Sequence, residues 1–284
     1  MPVLSQKGVL MDAPLSGSLL YLWDRRTFFL GVLPEPRQVS QAAPMLAVSL
    51  DRPMRVQAEN CGVDIVCHSV LFRSGQQVCT DSANGVVALC YLDPFGQDYA
   101  NLATVMTEVQ DGMYVCLQEE QSFQGAFADV LRETPTPEAL YALLDQLFPQ
   151  DTANQSPVDQ RVEQVVRRIK SSVADNLSLT ELAGEVDLSV PRLVELFKKH
   201  LGVPIRRYRQ WHRLYVTAVG VAQGNSLTEA SIAAGFTDSS HFSNTFRTML
   251  GMKPSTVLSH RHRGCIFAPA QPMGHRHEQY RAGG

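Results

Sequence analysis

A tetrapeptide that occurs twice constrains this chain more than any other feature. Ser178-Leu179-Thr180-Glu181 returns as Ser226-Leu227-Thr228-Glu229, 48 residues later. Leu193, Phe197, Lys198, Leu201 and Gly202 return as Phe242, Phe246, Arg247, Leu250 and Gly251, 49 residues later. The one-residue slip falls where Leu188-Ser189 faces Phe236-Thr237-Asp238. Turns accept insertions that packed helices do not, so the slip marks a turn inside each copy.

Each copy then reads as a pair of helices. Ser178 caps a short helix through Val186, and Ser189 caps a second over Val190–Leu201. Pro191 sits in the first turn of that second helix, where a missing N–H costs little. Gly202 ends the helix and Pro204 blocks its continuation. In the second copy Asp238 is the cap, Ser239–Leu250 the helix, Gly251 the stop and Pro254 the block. Two short helices joined by a tight turn make a helix-turn-helix. Between the copies, Ile205, Tyr208, Tyr215, Ala218, Val219 and Ala222 share one helical face of Ile205–Ala222, while Arg206, Arg207, Arg209 and Arg213 fall largely elsewhere.

Charge divides the chain in the same place. The net charge of −3 over 284 residues hides two unlike halves. Residues 1–157 carry 8 Lys+Arg against 18 Asp+Glu, a net of −10, and residues 158–263 carry 15 against 9, a net of +6. The basic half is suited to a polyanion and the acidic half is not. No apolar run is long enough to cross a bilayer, and the apolar piece Leu19–Leu22 lacks a basic leader, so a soluble, cytoplasmic protein is expected.

The first half reads as strands: Leu19–Leu22, Thr27–Leu33, Met45–Leu50, Val63–Phe72 and Val86–Leu92, separated by Pro-, Gly- and Asn-containing turns. Helical spacing follows in Tyr99–Gln110, Ser122–Arg132 and Pro137–Phe148. The stripe Leu140, Leu143, Leu144 and Leu147 fits either a dimer contact or burial on the domain's own sheet. Residues 151–157 read as a linker, and residues 264–284, rich in Pro, Gly and His, as a disordered tail. The expected fold is α+β: a β-barrel with appended helices in residues 1–150, then an all-α unit in residues 158–263.

The second copy carries a wider pattern. Gly235-Phe236, Asp238, Ser240-His241-Phe242, Phe246-Arg247 and Gly251 followed by Pro254 resemble the AraC/XylS family of bacterial transcription regulators. The first copy fits through Leu182-Ala183, Leu188-Ser189, Arg192-Leu193, Phe197-Lys198-Lys199 and Gly202. The resemblance implies a double helix-turn-helix domain that binds promoter double-stranded DNA. It further implies a cupin-like regulatory barrel, a homodimer, a small-molecule effector and, for an activator, contact with RNA polymerase. It implies neither membrane attachment nor a cofactor. The chain departs from the pattern at Glu195 and Asn244, where arginine is frequent, at Ala230-Ser231, and at Val257-Leu258 after the final Pro-Ser.

On this resemblance the connecting helix would set the distance between the two units. Consecutive major-groove segments on one face of B-DNA lie ~34 Å apart. A recognition helix presents its early, outward positions to base edges. Those are Pro191, Arg192, Val194 and Glu195 in the first copy and Ser239, Ser240, Ser243 and Asn244 in the second. Lys198, Lys199 and Arg247 are placed for phosphates. Arg192 is the best candidate for reading a base, with a phosphate contact as the alternative. Leu193, Leu196, Phe197, Phe242 and Phe246 are core by spacing, and His241 reads as structural.

The acidic half shows no catalytic constellation. Its single histidine, His68, alternates with Val66 and Val70 and reads as a packed strand residue, so a His-rich metal site is not expected. Trp23, Phe28, Phe29, Phe72, Tyr91 and Phe95 suit a plain core better than a ligand pocket, which leaves the effector-binding residues unassigned. The six cysteines form no C-x-x-C pair and read as reduced thiols. Two other classes compete with the ligand-responsive regulator. One is a regulator governed by a protein partner; the other, disfavoured by the scattered cysteines, is an enzyme fused to a DNA-binding module.

Overall fold

The computed structural model describes residues 18–33, 35–40, 42–58, 64–150, 159–258 and 266–268. The linker expected at residues 151–157, together with Cys61, Cys265 and the four histidines after residue 259, lies outside the described residues.

The first half is two facing sheets with helices on one side. The strands are β1 (Leu19–Leu22), β2 (Arg26–Val32), β3 (Arg37–Ser40), β4 (Met45–Ser49), β5 (Met54–Ala58), β6 (Ile65–Cys67), β7 (Ser69–Phe72), β8 (Gln77–Asp81) and β9 (Val86–Leu92). Then come α1 (Asp98–Ala103), the hairpin β10 (Met106–Gln110) and β11 (Met113–Leu117), α2 (Glu120–Glu133) and α3 (Pro137–Leu147). A two-residue strand near the C-terminus, β12 (Ile266–Phe267), joins the larger sheet. That sheet runs β10-β11-β7-β4-β9-β2-β1-β12, and the smaller β3-β8-β5-β6.

The two sheets differ in pattern because they differ in what covers them. The strands β1, β4, β7 and β9 are buried at every position. Leu20, Leu22, Phe29, Ala47, Phe72 and Leu89 fill the space between the sheets. Their neighbours Leu19, Tyr21, Phe28, Leu46, Leu71 and Ala88 meet Leu102, Phe123, Phe127, Leu140 and Leu144 of α1–α3. A strand covered on both faces reads as a continuous apolar run; one with a wet face alternates. The smaller sheet alternates, as in β5 and β6.

Two expectations need correction, and one open alternative is decided. Tyr99–Gln110 is not one helix: α1 ends at Ala103, and Met106–Gln110 pairs with β11. Only Met106 of that edge strand is buried, so helical spacing fitted it by chance. Of the two uses open to the Leu140/Leu144 stripe, the structure shows burial on the domain's own sheet. And the tail is not wholly without structure, since Ile266 and Phe267 pair with Leu20 and Tyr21 in parallel.

The second half is helical: α4 (Gln160–Ser171), α5 (Leu179–Gly184), α6 (Val190–Leu201), α7 (Ile205–Ala222), α8 (Leu227–Ala233), α9 (Ser239–Leu250) and α10 (Ser255–Leu258). Its two units are cored differently. Leu182, Leu193, Leu196, Phe197 and Tyr208 form a cluster with Val162, Val165 and Ile169 of α4. Phe236, Phe242, Phe246 and Met249 instead belong to the cluster that fills the barrel.

Candidate nucleic-acid interface

The repeat folds as two superimposable local designs. Ser178 and Ser226 each accept a hydrogen bond from the backbone N–H three residues on, and Glu181 and Glu229 each reach back to the N-cap N–H. Both are capping boxes, which satisfy two of the orphan donors at a helix start. The turns match as well. Leu188 N–H donates to the Ala183 carbonyl, and Phe236 N–H donates to the Ser231 carbonyl. The turn needs one left-handed residue, supplied by Gly235 (φ 88°) in the second unit and Asp187 (φ 52°) in the first. Aspartate tolerates that region better than most side chains. The equivalence of Asp187 with Gly235 is a signal that the repeat offset of 48 contains and residue type conceals.

The second helices start and stop largely as expected. Asp238 accepts from His241 N–H at the head of α9, and Gly202 (φ 74°) and Gly251 (φ 67°) close α6 and α9 in the left-handed region. Ser189 holds the N-cap position of α6 but its side chain makes no capping bond. The departure at Ser231 is accommodated: the residue is fully buried, and its hydroxyl donates to the Thr228 carbonyl.

Every proposed DNA-facing side chain of α6 is exposed: Pro191, Arg192, Val194, Glu195, Lys198 and Lys199. In α9, Ser240, Asn244 and Arg247 are exposed, while Ser239 and Ser243 are half-buried. The Ser243 hydroxyl donates to the Ser239 carbonyl, which ties up part of its capacity to meet a base. Arg192 donates to Glu195 at 2.8 Å along the same face. Both side chains are more than half exposed, so the pair holds Arg192 only lightly.

The α7 arginines have other duties. Arg209 donates to the carbonyls of Leu177 and Asp175, and Arg213 to those of Val173 and Asp175 and to Asn176. They satisfy carbonyls in the connection between α4 and α5. Arg207 donates across to the Ser40 carbonyl of the barrel. The helix itself is unbroken over 18 residues, about 27 Å at 1.5 Å per residue.

Both units touch the barrel. Lys170 pairs with Asp24 at 3.0 Å and lies 3.8 Å from Asp93. The buried Arg37 donates to the Leu250 carbonyl at 3.2 Å. A Cβ at Gly251 would come within 2.8 Å of both Arg37 and Val39, so glycine is required there for contact as well as for conformation. Between the barrel and α7–α9 lies a small cleft of about 50 Å³, lined by Leu20, Phe29 and Tyr91 on one side and Trp211, Leu214 and Phe246 on the other. Of the six aromatics noted in the sequence, Phe29 and Tyr91 reach this cleft. Phe28 packs on the α2 side and Phe72 in the barrel interior. Phe95 packs against the first unit.

Comparison with known proteins agrees with this geometry. A helix-turn-helix domain model matches residues 182–260. The XylDLEGF operon transcriptional activator 2 of Pseudomonas putida is 31% identical over 109 residues, which are 37% of this chain and 69% of that protein. This chain belongs to the AraC/XylS family of transcription regulators. As a family member it is a DNA-binding regulator. The arabinose operon regulatory protein of Escherichia coli is 32% identical over 40% of this chain, and the match spans 41% of that protein's length. Among solved structures, ToxT from Vibrio cholerae aligns over 83% of this chain and 98% of its own, with a TM-score of 0.53 at 15% identity. That likeness concerns the fold of both halves. One ToxT structure contains an unsaturated fatty acid.

Beside the cleft, His212 of this family member is buried, and burial together with the Lys170 charge holds its pKa down to about 4, against the opposing pull of Asp24. The native chain keeps the imidazole neutral, whereas the unfolded chain protonates it near its ordinary value of about 6.5. The native state therefore binds fewer protons in this window, and stability falls as pH drops from 6.5 towards 4. The expected loss is about 2 kcal/mol by pH 5, measured as a shift in urea midpoint from pH 7.5. His212→Gln should flatten that dependence. An unchanged slope in the variant would assign the pH effect elsewhere.

Proposed function

We propose that α6 and α9 enter successive major grooves of a promoter, with Pro191, Arg192, Val194, Glu195, Ser239, Ser240, Ser243 and Asn244 facing base edges. In this reading Lys198, Lys199 and Arg247 hold phosphates. One observation carries it: both second helices bury a stripe, Leu193, Leu196, Phe197 and Leu201 in α6 and Phe242, Thr245, Phe246 and Met249 in α9, and leave Arg192, Glu195, Ser240 and Asn244 exposed on the other side. Glu195 and Asn244 suit an amino group of cytosine and an adenine edge, so the two units read different bases.

Selection of duplexes from a random pool, followed by footprinting, tests the assignment. Arg192→Ala is expected to cost about 1–3 kcal/mol on the selected duplex and clearly less on unrelated DNA. Equal losses on both would reduce Arg192 to a phosphate contact. Three phosphate contacts give a slope of about −3 for log K against log salt. A slope near zero would sink the interface as drawn.

Regulation is proposed to act through the cleft between the barrel and the second unit. Its walls are apolar, and the buried Tyr91, whose hydroxyl interacts with Arg37, lines it. Such a site suits a mainly apolar small molecule with one polar group. The fatty acid in the similarly folded ToxT supports an effector of that kind. A ligand bridging the cleft would change how the second unit sits on the barrel, and so the population competent for DNA. Thermal-shift screening with apolar carboxylic acids tests this; absence of any hit would favour a protein partner on the acidic half. Homodimerisation and, for an activator, contact with RNA polymerase belong to the proposal, with the dimer using surface other than the Leu140/Leu144 stripe. No catalysis is assigned to the barrel: burial pushes the thiols of Cys67 and Cys90 up to about 12, which disfavours the nucleophilic thiolate.

A further inference from the structure

The chain does not finish at the second helix-turn-helix unit. It leaves α10 at Leu258, whose neighbour Val257 lines the cleft, and by Ile266 it is on the barrel. There β12 runs parallel to β1, with Ile266 opposite Leu20 and Phe267 opposite Tyr21. The two side chains go to opposite faces of the sheet. Ile266 is buried in the cluster that holds Leu20, Leu22 and the core of the second unit. Phe267 stacks on Tyr21 at 4.5 Å and 17°, on the side of the α2–α3 helices. Among the described residues, no other strand covers that edge of β1, which would otherwise be an open sheet edge. The last described segment is thus pinned on both faces and along the backbone.

We propose that β12 is a strap that fastens the second helix-turn-helix unit to the barrel, and that its release from β1 accompanies DNA engagement. The inference rests on the DNA-binding reading above. Each unit has its own contacts with the barrel: the first through Lys170 on Asp24 and Arg207 on Ser40, the second through Arg37 on Leu250, the apolar cluster it shares with the barrel, and the strap. While both stay docked, the barrel fixes how α6 and α9 face one another, and fitting two grooves requires one unit to yield. The strap raises the cost of yielding. The charge balance acts the same way, because docking keeps a half of net +6 against one of net −10, and DNA competes with that half for the basic surface.

The test uses the full chain and two variants: Ile266→Asp with Phe267→Asp, and a stop after Leu258. Both alter a terminal segment and leave the remaining strands and helices intact. Fluorescence anisotropy is read on a duplex selected by the wild-type chain, and amide exchange is read at Leu19–Leu22. Both variants are expected to bind about fivefold more tightly than wild type, because a larger fraction is free to adapt. In the wild type, added duplex should speed β1 exchange to the level of the variants. Unchanged or weaker binding by both variants, or β1 amides that stay protected on DNA, would overturn the strap. Failure of wild type and variants alike to bind any duplex would overturn the DNA-binding reading, and the strap with it.

Discussion

Replacing Arg26 with methionine is expected to destabilise the barrel by about 3 kcal/mol, the lower end of the range for breaking a buried ion pair. The Arg26 side chain is 4% exposed, and its fork meets Asp98 through Nε at 2.7 Å and Nη2 at 2.9 Å. Nη1 reaches Asp145 at 2.6 Å. The guanidinium also lies over the rings of Tyr141 and Phe148, 4.8 and 4.9 Å from their centroids. One side chain therefore ties β2 to α1 and α3. Without it, Asp98 keeps a charge in a site that is only 20% exposed, while Asp145, at 49%, is largely solvated. That difference places the cost at the low end. Arg26→Lys keeps the charge but not the bidentate geometry, and should recover only part of the loss. Adding Asp98→Asn to Arg26→Met should recover more than Arg26→Lys does, if the stranded carboxylate dominates. Urea midpoints at neutral pH measure all three, and a loss below about 1 kcal/mol for Arg26→Met would show that packing alone holds these helices.

Phe197→Ala is expected to cost about 3–5 kcal/mol, the usual range for emptying a fully buried phenylalanine site. Phe197 has no exposed surface and meets Tyr208 edge-on at 5.8 Å. Its cluster is confined to α4, α5, α6 and the start of α7, with Phe95 as a peripheral contact. The damage should therefore stay in the first unit: footprint protection over its half-site is lost, and the second half-site keeps a weaker imprint. Phe242→Ala should behave differently. Its cluster is continuous with the barrel interior, so melting of the second unit should lower barrel stability too. Exchange mapping of the two variants separates these patterns. Identical spread of damage in both would refute the division of the core.

The helical half was legible in the sequence because its signals are local. A capping serine and its glutamate are three residues apart, and a stop glycine adjoins the helix it ends. Such interactions form wherever the segment is placed. The barrel was legible only where strands are covered on both faces, as in β1, β4 and β9, since these read as solid apolar runs. The strands β3, β5, β8 and β11 escaped notice, the first three because each offers only two inward residues among polar ones. The strand β10 passed for helix because a five-residue stretch with one buried side chain has no clear period. The α6 residues expected to face DNA lie on the exposed side of the helix, since a buried stripe at helical spacing fixes its opposite.

The repeat that first constrained the chain also marks the limit of what sequence determines here. By itself the sequence determined two helix-turn-helix units, their caps and stops, the faces they leave open and the family they belong to. All of these follow from contacts within about one turn of a helix or one tight turn of the chain. Only the tertiary structure decided that the two units are not equivalent. The first has a core of its own, and the second borrows the barrel's. It also decided that Arg207 holds a barrel carbonyl and that Ile266 and Phe267 close the edge of β1. These arrangements join residues far apart along the chain. Their cost is set by loop closure, and their gain by the apolar surface that the whole fold brings together.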